Sequence, residues 1–229
     1  MYIGLDVESV PLLTNENIQS YLNEKKEKIL EDSRTKSSTK TMKIMKLEES
    51  IMLLKSTGEV NEELGSLIKD FSTSPTKNKI CGIGLCTDTF KSAYAGEDEK
   101  ELLENFINDL SQLGTDPKFT GHKLEFDINS IRIALIRNNL VEKIKSKIQL
   151  SERGLIFPLN RYDPVYLDTL NIFPKEKLNN LANSILGESK IDNGSEVYNM
   201  YKNKEFDRIK EYVQSDAWIS YRISKELEI

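Results

Sequence analysis

Cysteine is almost missing from this chain: its 229 residues contain only Cys81 and Cys86. The two stand five apart in a stretch that reads as a strand, where neighbouring side chains alternate between faces, so they cannot pair there. No secretion-signal pattern is present, and with so few cysteines a reduced, cytoplasmic setting is expected. Long apolar runs are lacking too. Nothing approaches the roughly 20 consecutive apolar residues of a membrane span, so no membrane is expected among the partners. Positive charge is not in excess: 32 basic against 37 acidic residues leave a formal net charge of −5. That argues against coating nucleic acid with the whole surface, but a local positive funnel toward an acidic site is compatible with it. Glycine-rich phosphate loops are also missing. Gly82-x-Gly84 has neither the third glycine nor the following helix of a dinucleotide motif.

What the chain does carry begins at its first strand. Tyr2, Ile3, Leu5 and Val7 form a short apolar run, the pattern of a buried strand, and it includes Asp6 and Glu8. Residues two apart share a face, so both carboxylates would project together. Paired carboxylates taken out of water cost several kcal/mol per charge unless compensated. Divalent cations such as Mg2+, which prefer carboxylate oxygens, are the usual compensation. Further along, Phe126-Asp127 precedes Ile128, Ile131, Leu135 and Ile136 at helical spacing. This predicts a helix starting at Asp127, and an N-cap role alone would account for that aspartate. Near the C-terminus Tyr212 and Asp216 are four apart, on one face of a predicted helix packed down by Ile209, Val213, Ile219 and Ile223.

The periodicities predict strands at 2–7, 79–87, 89–95, 118–120 and 165–167. They predict helices at about 98–113, 127–141, 175–186, 194–201 and 204–226, and a long helical stretch at about 15–70. Strands, a helix, a strand and then helices make an α/β fold, a mixed central sheet flanked by helices. One domain is expected over 1–229, with a helical insertion at about 15–75 after the first strand. Ile44, Leu47, Ile51 and Leu54 are spaced as a coiled-coil seam, and Ile18, Leu22 and Ile29 give an earlier helix a similar stripe. A helical hairpin arm is the natural reading. Arg34, Lys36, Lys40, Lys43 and Lys46 bring five positive charges to it, with no acid between 34 and 46. They form either a solvated face or a grip on a phosphate backbone.

In this order and context, the motifs resemble the DEDD (DnaQ-like) 3'-5' exonuclease superfamily, tyrosine-type branch, which has an RNase H-like fold. Asp-x-Glu falls on Asp6 and Glu8, the aspartate after an aromatic on Asp127, and Tyr-x-x-x-Asp on Tyr212 and Asp216. The chain is most similar to free-standing exonucleases related to the exonuclease domain of family B DNA polymerases. Their first motif, Leu-Asp-x-Glu-Thr-Val-Pro, stands here as Leu5-Asp6-Val7-Glu8-Ser9-Val10-Pro11. The likeness covers nearly the whole chain, including Ile80–Leu85, Asp163-Pro164 and Leu167-Asp168, and is weakest between Thr14 and Lys79. One departure is clear: the asparagine of the middle motif is replaced by His122 and Lys123.

The resemblance implies two Mg2+ or Mn2+ ions and hydrolysis at single-stranded or frayed DNA 3' ends. It implies that Asp6 bridges both ions, Glu8 and Asp216 hold the water-bearing one, and Asp127 positions the other. Tyr212 would orient the attacking water; a phenol with a pKa near 10 does not serve alone as a base at neutral pH. The only histidine, His122, lies before Asp127 and not before Asp216, so the histidine-type site is unavailable. His122 is expected in a structural or substrate-side role. Substrate contacts are expected from His122, Lys123, Phe126, Lys36, Lys40 and Lys43, with Tyr162, Tyr166 and Trp218 as further aromatics, Trp218 more as core. Asp163, Asp168 and Glu125 have adequate structural or solvated readings. A replication or repair partner reached through the arm is a further expectation. The alternatives are the same chemistry on RNA, or a non-catalytic nucleic-acid- or polymerase-binding module on a nuclease fold.

Overall fold

A computed structural model describes residues 2–113, 118–147 and 166–227. The expectations at Tyr162, Asp163, Pro164 and Val165, and the side chain of Tyr166, lie outside the described residues. The chain divides into two compact units, Met1–Val10 with Lys79–Ile229, and Pro11–Asn78. No described helix is long and apolar enough to cross a membrane.

The larger unit is α/β. Its strands are β1 (Tyr2–Pro11), β2 (Asn78–Cys86), β3 (Lys91–Ala95), β4 (Lys118–Gly121) and β5 (Tyr166–Asp168), in the order β3-β2-β1-β4-β5. β1, β4 and β5 run parallel, and β3 is antiparallel to β2. Alternation along β1 and β2 separates the two faces of the sheet. Ile3, Leu5, Val7, Ile83 and Leu85 turn to one side and form the main core. There they meet helices α4 (Glu99–Leu113), α5 (Leu124–Arg137) and α6 (Val141–Lys147). Gly4, Asp6 and Glu8 belong to the opposite face.

That opposite face is covered by α10 (Phe206–Glu226), which follows α7 (Thr169–Ile172), α8 (Leu178–Leu181) with a π-helical turn at Ala182–Leu186, a 3-10 turn at Gly194–Glu196, and α9 (Val197–Lys202). Two strand glycines let α10 lie directly on the backbone. A Cβ on Gly4 would stand 2.2 Å from the Ala217 carbonyl oxygen, and one on Gly84 2.3 Å from that of Val213. Gly84→Ala should therefore push α10 outward, costing about 1–3 kcal/mol or more in urea denaturation, as overpacking does. An unchanged midpoint would mean that the helix is not held by this contact.

The smaller unit corrects one expectation. The stretch after β1 is not a two-helix arm but three helices, α1 (Asn15–Glu31), α2 (Ser37–Thr57) and α3 (Gly65–Ser72), with a 3-10 turn at Glu62–Leu64. The seam residues Leu47, Ile51 and Leu54 close with Ile18, Tyr21 and Leu22 around Leu64, Leu67 and Phe71 in one core. A hairpin alone would leave this stripe half exposed, and α3 covers it. Ile29 and Ile44 are only partly buried.

Three helix boundaries also differ from the periodic reading, each at a residue in left-handed backbone conformation. α5 begins at Leu124, not Asp127, because the chain turns at Lys123 (φ 68°). It ends at Arg137, with Asn139 (φ 57°) separating it from α6. The helix expected from Lys175 starts only at Leu178, after Lys175 (φ 74°), and is four residues long before its π turn.

Candidate active site

Five side chains singled out in the sequence come from three elements of the larger unit. β1 supplies Asp6 and Glu8, the first turn of α5 supplies Asp127, and α10 supplies Tyr212 and Asp216. Asp127, Tyr212 and Asp216 are buried, Asp216 to 2 % exposure. Asp6 Oδ2, Asp127 Oδ2 and Asp216 Oδ1 are buried oxygens with no hydrogen-bond partner among the described residues. Such orphaned acceptors normally cost a folded protein about 1–3 kcal/mol each, more when charged.

The carboxylates act on one another. Burial, then the charges of Asp216 and Glu8, push the Asp6 carboxyl well above its ordinary range. Burial and Asp216 push Glu8 up to about 8. Burial, Asp6, Glu8 and Asp168 raise Asp127 in the same way. Asp216 is raised by burial and held back by Lys190 and by a hydrogen bond with Tyr212. All of these groups favour a proton, or another positive charge, over the bare anion.

Lys190 supplies part of that charge, and sequence reasoning missed it. Its ammonium pairs with Asp216 Oδ2 and donates to the Tyr212 hydroxyl oxygen at 2.9 Å, with its side chain 18 % exposed. The backbone of the loop is tied down where Lys190 N–H donates to Asn179 Oδ1 at 2.9 Å. Between Ser189 and Ile191 it stands in a loop without periodicity, so nothing local marks it. Because the phenolic oxygen accepts from Lys190, its own hydrogen is free to donate to Glu8 or Asp216, both of which it stabilises. Burial and the surrounding carboxylates raise the Tyr212 hydroxyl far above the ordinary phenol range, so it stays protonated and is a donor.

The middle-motif residues flank this cluster. His122 Nδ1 lies 2.9 Å from Thr169 Oγ1, whose hydrogen goes to the Gly121 carbonyl at 3.1 Å. The hydroxyl therefore accepts, His122 donates, and the ring has a structural task joining β4 to α7. Burial lowers its pKa, favouring the neutral ring. The exposed Lys123 places its ammonium 5.0 Å from the Phe126 ring centroid, leaving both at the surface beside buried Asp127. Asp168 accepts from the N–H of Lys123 and of Leu170, each at 2.9 Å, which explains it as a cap. Glu125 is exposed. Trp218 is half-buried, stacked on Tyr221 and covered by Lys91. Cys81 and Cys86 are both buried and free.

The remaining expected contacts, Lys36, Lys40 and Lys43, belong to the smaller unit. Lys36 and Lys43 are exposed there, whereas Lys40 donates to the Leu30 carbonyl at 2.6 Å, near the end of α1. A lysine on a late helical carbonyl is a C-terminal cap. Lys40 thus has a local structural role.

Among the described residues no three acidic, histidine or cysteine side chains are grouped so that they could hold a metal ion. The donor chemistry nevertheless suits a hard divalent cation: Asp6, Glu8, Asp127 and Asp216 offer oxygen ligands, and three of them have a buried atom without a partner among the described residues. No protein-family model matches the chain, and no curated protein is significantly similar to it.

Proposed function

We propose that this chain is a metal-dependent 3'-5' exonuclease of the DnaQ-like, tyrosine-type kind, with an RNase H-like larger unit, removing nucleotides from single-stranded or frayed DNA 3' ends. One observation carries the reading: of four carboxylates from sequence-remote elements, Asp6, Glu8 and Asp127 are raised by burial and by their acidic neighbours, and Asp6, Asp127 and Asp216 each keep a buried oxygen without a partner among the described residues. Asp6, Glu8, Asp127 and Asp216 would hold Mg2+ or Mn2+. Bound there, the ions would activate the attacking water and neutralise the leaving 3'-oxygen. The protein's own share is orientation. Lys190 fixes the Tyr212 oxygen, so the tyrosine proton points toward the carboxylates, where the attacking water would be held. Lys123 and Phe126 offer a cation and a ring to the terminal nucleotide, where the resembling family uses asparagine. End-labelled DNA and RNA oligonucleotides incubated with Mg2+, Mn2+ or EDTA test this. Metal-dependent shortening from the 3' end is expected, with DNA preferred, and no shortening with any metal would overturn it.

Tyr212→Phe separates orientation from binding. The ring still packs and no ligand is lost, so metal affinity should persist while turnover falls. Losing one preorganised donor costs about 2.7–4 kcal/mol, roughly a hundred- to thousandfold. Unchanged turnover would reduce Tyr212 to a packing residue.

A second reading is a non-catalytic nucleic-acid-binding module, with a replication or repair partner reached through the helical unit. It draws on the Lys190–Asp216 ion pair, which offsets part of the negative charge without a metal. Mn2+ titration separates the two, since a scaffold should not take up two ions at one place.

A further inference from the structure

β3 is an edge strand, and its hydrogen-bonding pattern shows which groups it leaves open. Thr87 N–H donates to the Phe90 carbonyl at 2.7 Å, and Gly96 N–H to the Cys81 carbonyl at 3.1 Å. With the intervening register, Gly82 opposite Ala95 and Gly84 opposite Ala93, even-numbered residues of β3 face β2. The N–H and C=O groups of Lys91, Ala93 and Ala95 therefore point away from the sheet. No described strand lies beyond them. Natural edges of this kind are covered, blunted or paired.

The two ends of this edge differ in charge. At the Ala95 end a hollow of about 230 Å³ is lined by Ala93, Ala95, Glu97, Asp98 and Glu101, with Lys210 as the one cation among its described lining residues. Glu97, Asp98 and Glu101 are exposed, and Glu97 makes a surface ion pair with Lys204 at 3.4 Å. At the other end Lys91 is exposed and makes no ion pair among the described residues; its ammonium rests on the Trp218 ring, 3.8 Å from the centroid.

We infer that β3 pairs antiparallel with β3 of a second copy of this chain, about a two-fold axis at Ala93. Outward groups must meet outward groups, and Ala93 is the middle of the three. Lys91 of each copy then lies opposite Ala95 of the other, diagonal to Glu97 and at the mouth of the acidic hollow. Symmetry makes this contact twice. The small alanines let the edges approach, and a parallel pairing would instead set acidic end against acidic end. The result is one continuous sheet across two copies.

The test is sedimentation of the full chain at tens of micromolar and low salt. The wild type should run at twice the mass of one chain. Ala93→Pro removes an outward N–H and no bond to β2, a change edge strands tolerate, and should leave a folded monomer. Lys91→Glu should weaken the dimer about tenfold, because each reversed cross-strand pair turns attraction into repulsion and the pair occurs twice. Lys91→Glu combined with Glu97→Lys should restore it. A monomeric wild type would overturn the inference and leave the edge for a strand of another protein. A dimer indifferent to Ala93→Pro and Lys91→Glu would overturn it as well, by assigning the contact to a different surface.

Discussion

Asp6→Asn is expected to lower hydrolysis by more than about a thousandfold, beyond the worth of one oriented donor, while the metal-free protein becomes more stable. The substitution keeps size and removes one anion from a crowded buried set. Burial, Asp216 and Glu8 raise the Asp6 carboxyl well above its ordinary range, so its ionised form is disfavoured in the folded state. A carboxyl raised on folding contributes stability below its unfolded pKa and loses it as pH rises toward the folded value. The gain from Asp6→Asn should thus be negligible near pH 4 and present at pH 8. A gain of 1 kcal/mol corresponds to about 2–4 °C of melting temperature for a chain of this size. Mg2+ or Mn2+ should raise the melting temperature of the wild type more than that of the variant. A variant that melts lower at pH 8 without metal, yet keeps full activity, would remove Asp6 from the site.

Lys190→Met should have the largest effect on stability, and in the opposite direction. Methionine fills the same length without charge, leaving Asp216 with neither its ion pair nor the ammonium beside Tyr212. Removing one partner of a buried pair costs about 3–5 kcal/mol where the other stays charged. Asp216 can escape that cost by taking a proton, so the deficit depends on pH. Without Lys190 its pKa, already raised by burial, goes higher. The deficit should be small at pH 5 and grow by about 1.4 kcal/mol per unit of pH until the new folded pKa is reached. The wild type should itself lose stability as pH rises above the ordinary carboxylate range, because burial and acidic neighbours raise Asp6, Glu8 and Asp127. Mn2+ at pH 8 should recover part of the loss in the variant by supplying the missing charge. Denaturant titrations at pH 5 and pH 8, with and without Mn2+, measure all of this. An equal deficit at both pH values would mean that Lys190 only packs.

Much of the arrangement is written locally. Period-two alternation in β1 puts Ile3, Leu5 and Val7 on one face and Asp6 with Glu8 on the other, whatever surrounds the strand. The four-residue spacing of Tyr212 and Asp216, with Ile209 and Val213 beside them, likewise sets which face of α10 turns inward. Ile3, Leu5, Val7, Tyr212 and Asp216 are buried in the structure, and Asp6 and Glu8 are half-buried. These features follow from repeats shorter than two helical turns, the range over which sequence pattern and backbone geometry correspond directly.

Other features are invisible at that range. Lys190 stands in a loop with no pattern around it, and only the docking of α10 beside that loop brings its ammonium to Asp216. The start of α5 was set by Lys123 in a left-handed turn held by Asp168, 45 residues away, and not by the capping signal at Asp127. α3 turned an expected hairpin into a three-helix unit because its apolar face completes a core that two helices leave open. Gly4 and Gly84 read as neutral strand positions until the carbonyls of α10 are placed against them. Alternation and helical spacing by themselves determined which faces of β1 and α10 are apolar and which carry the carboxylates. Which cation meets those carboxylates, and how closely the helix approaches the strand, were decided only by tertiary structure, because both depend on long-range packing that no local period encodes.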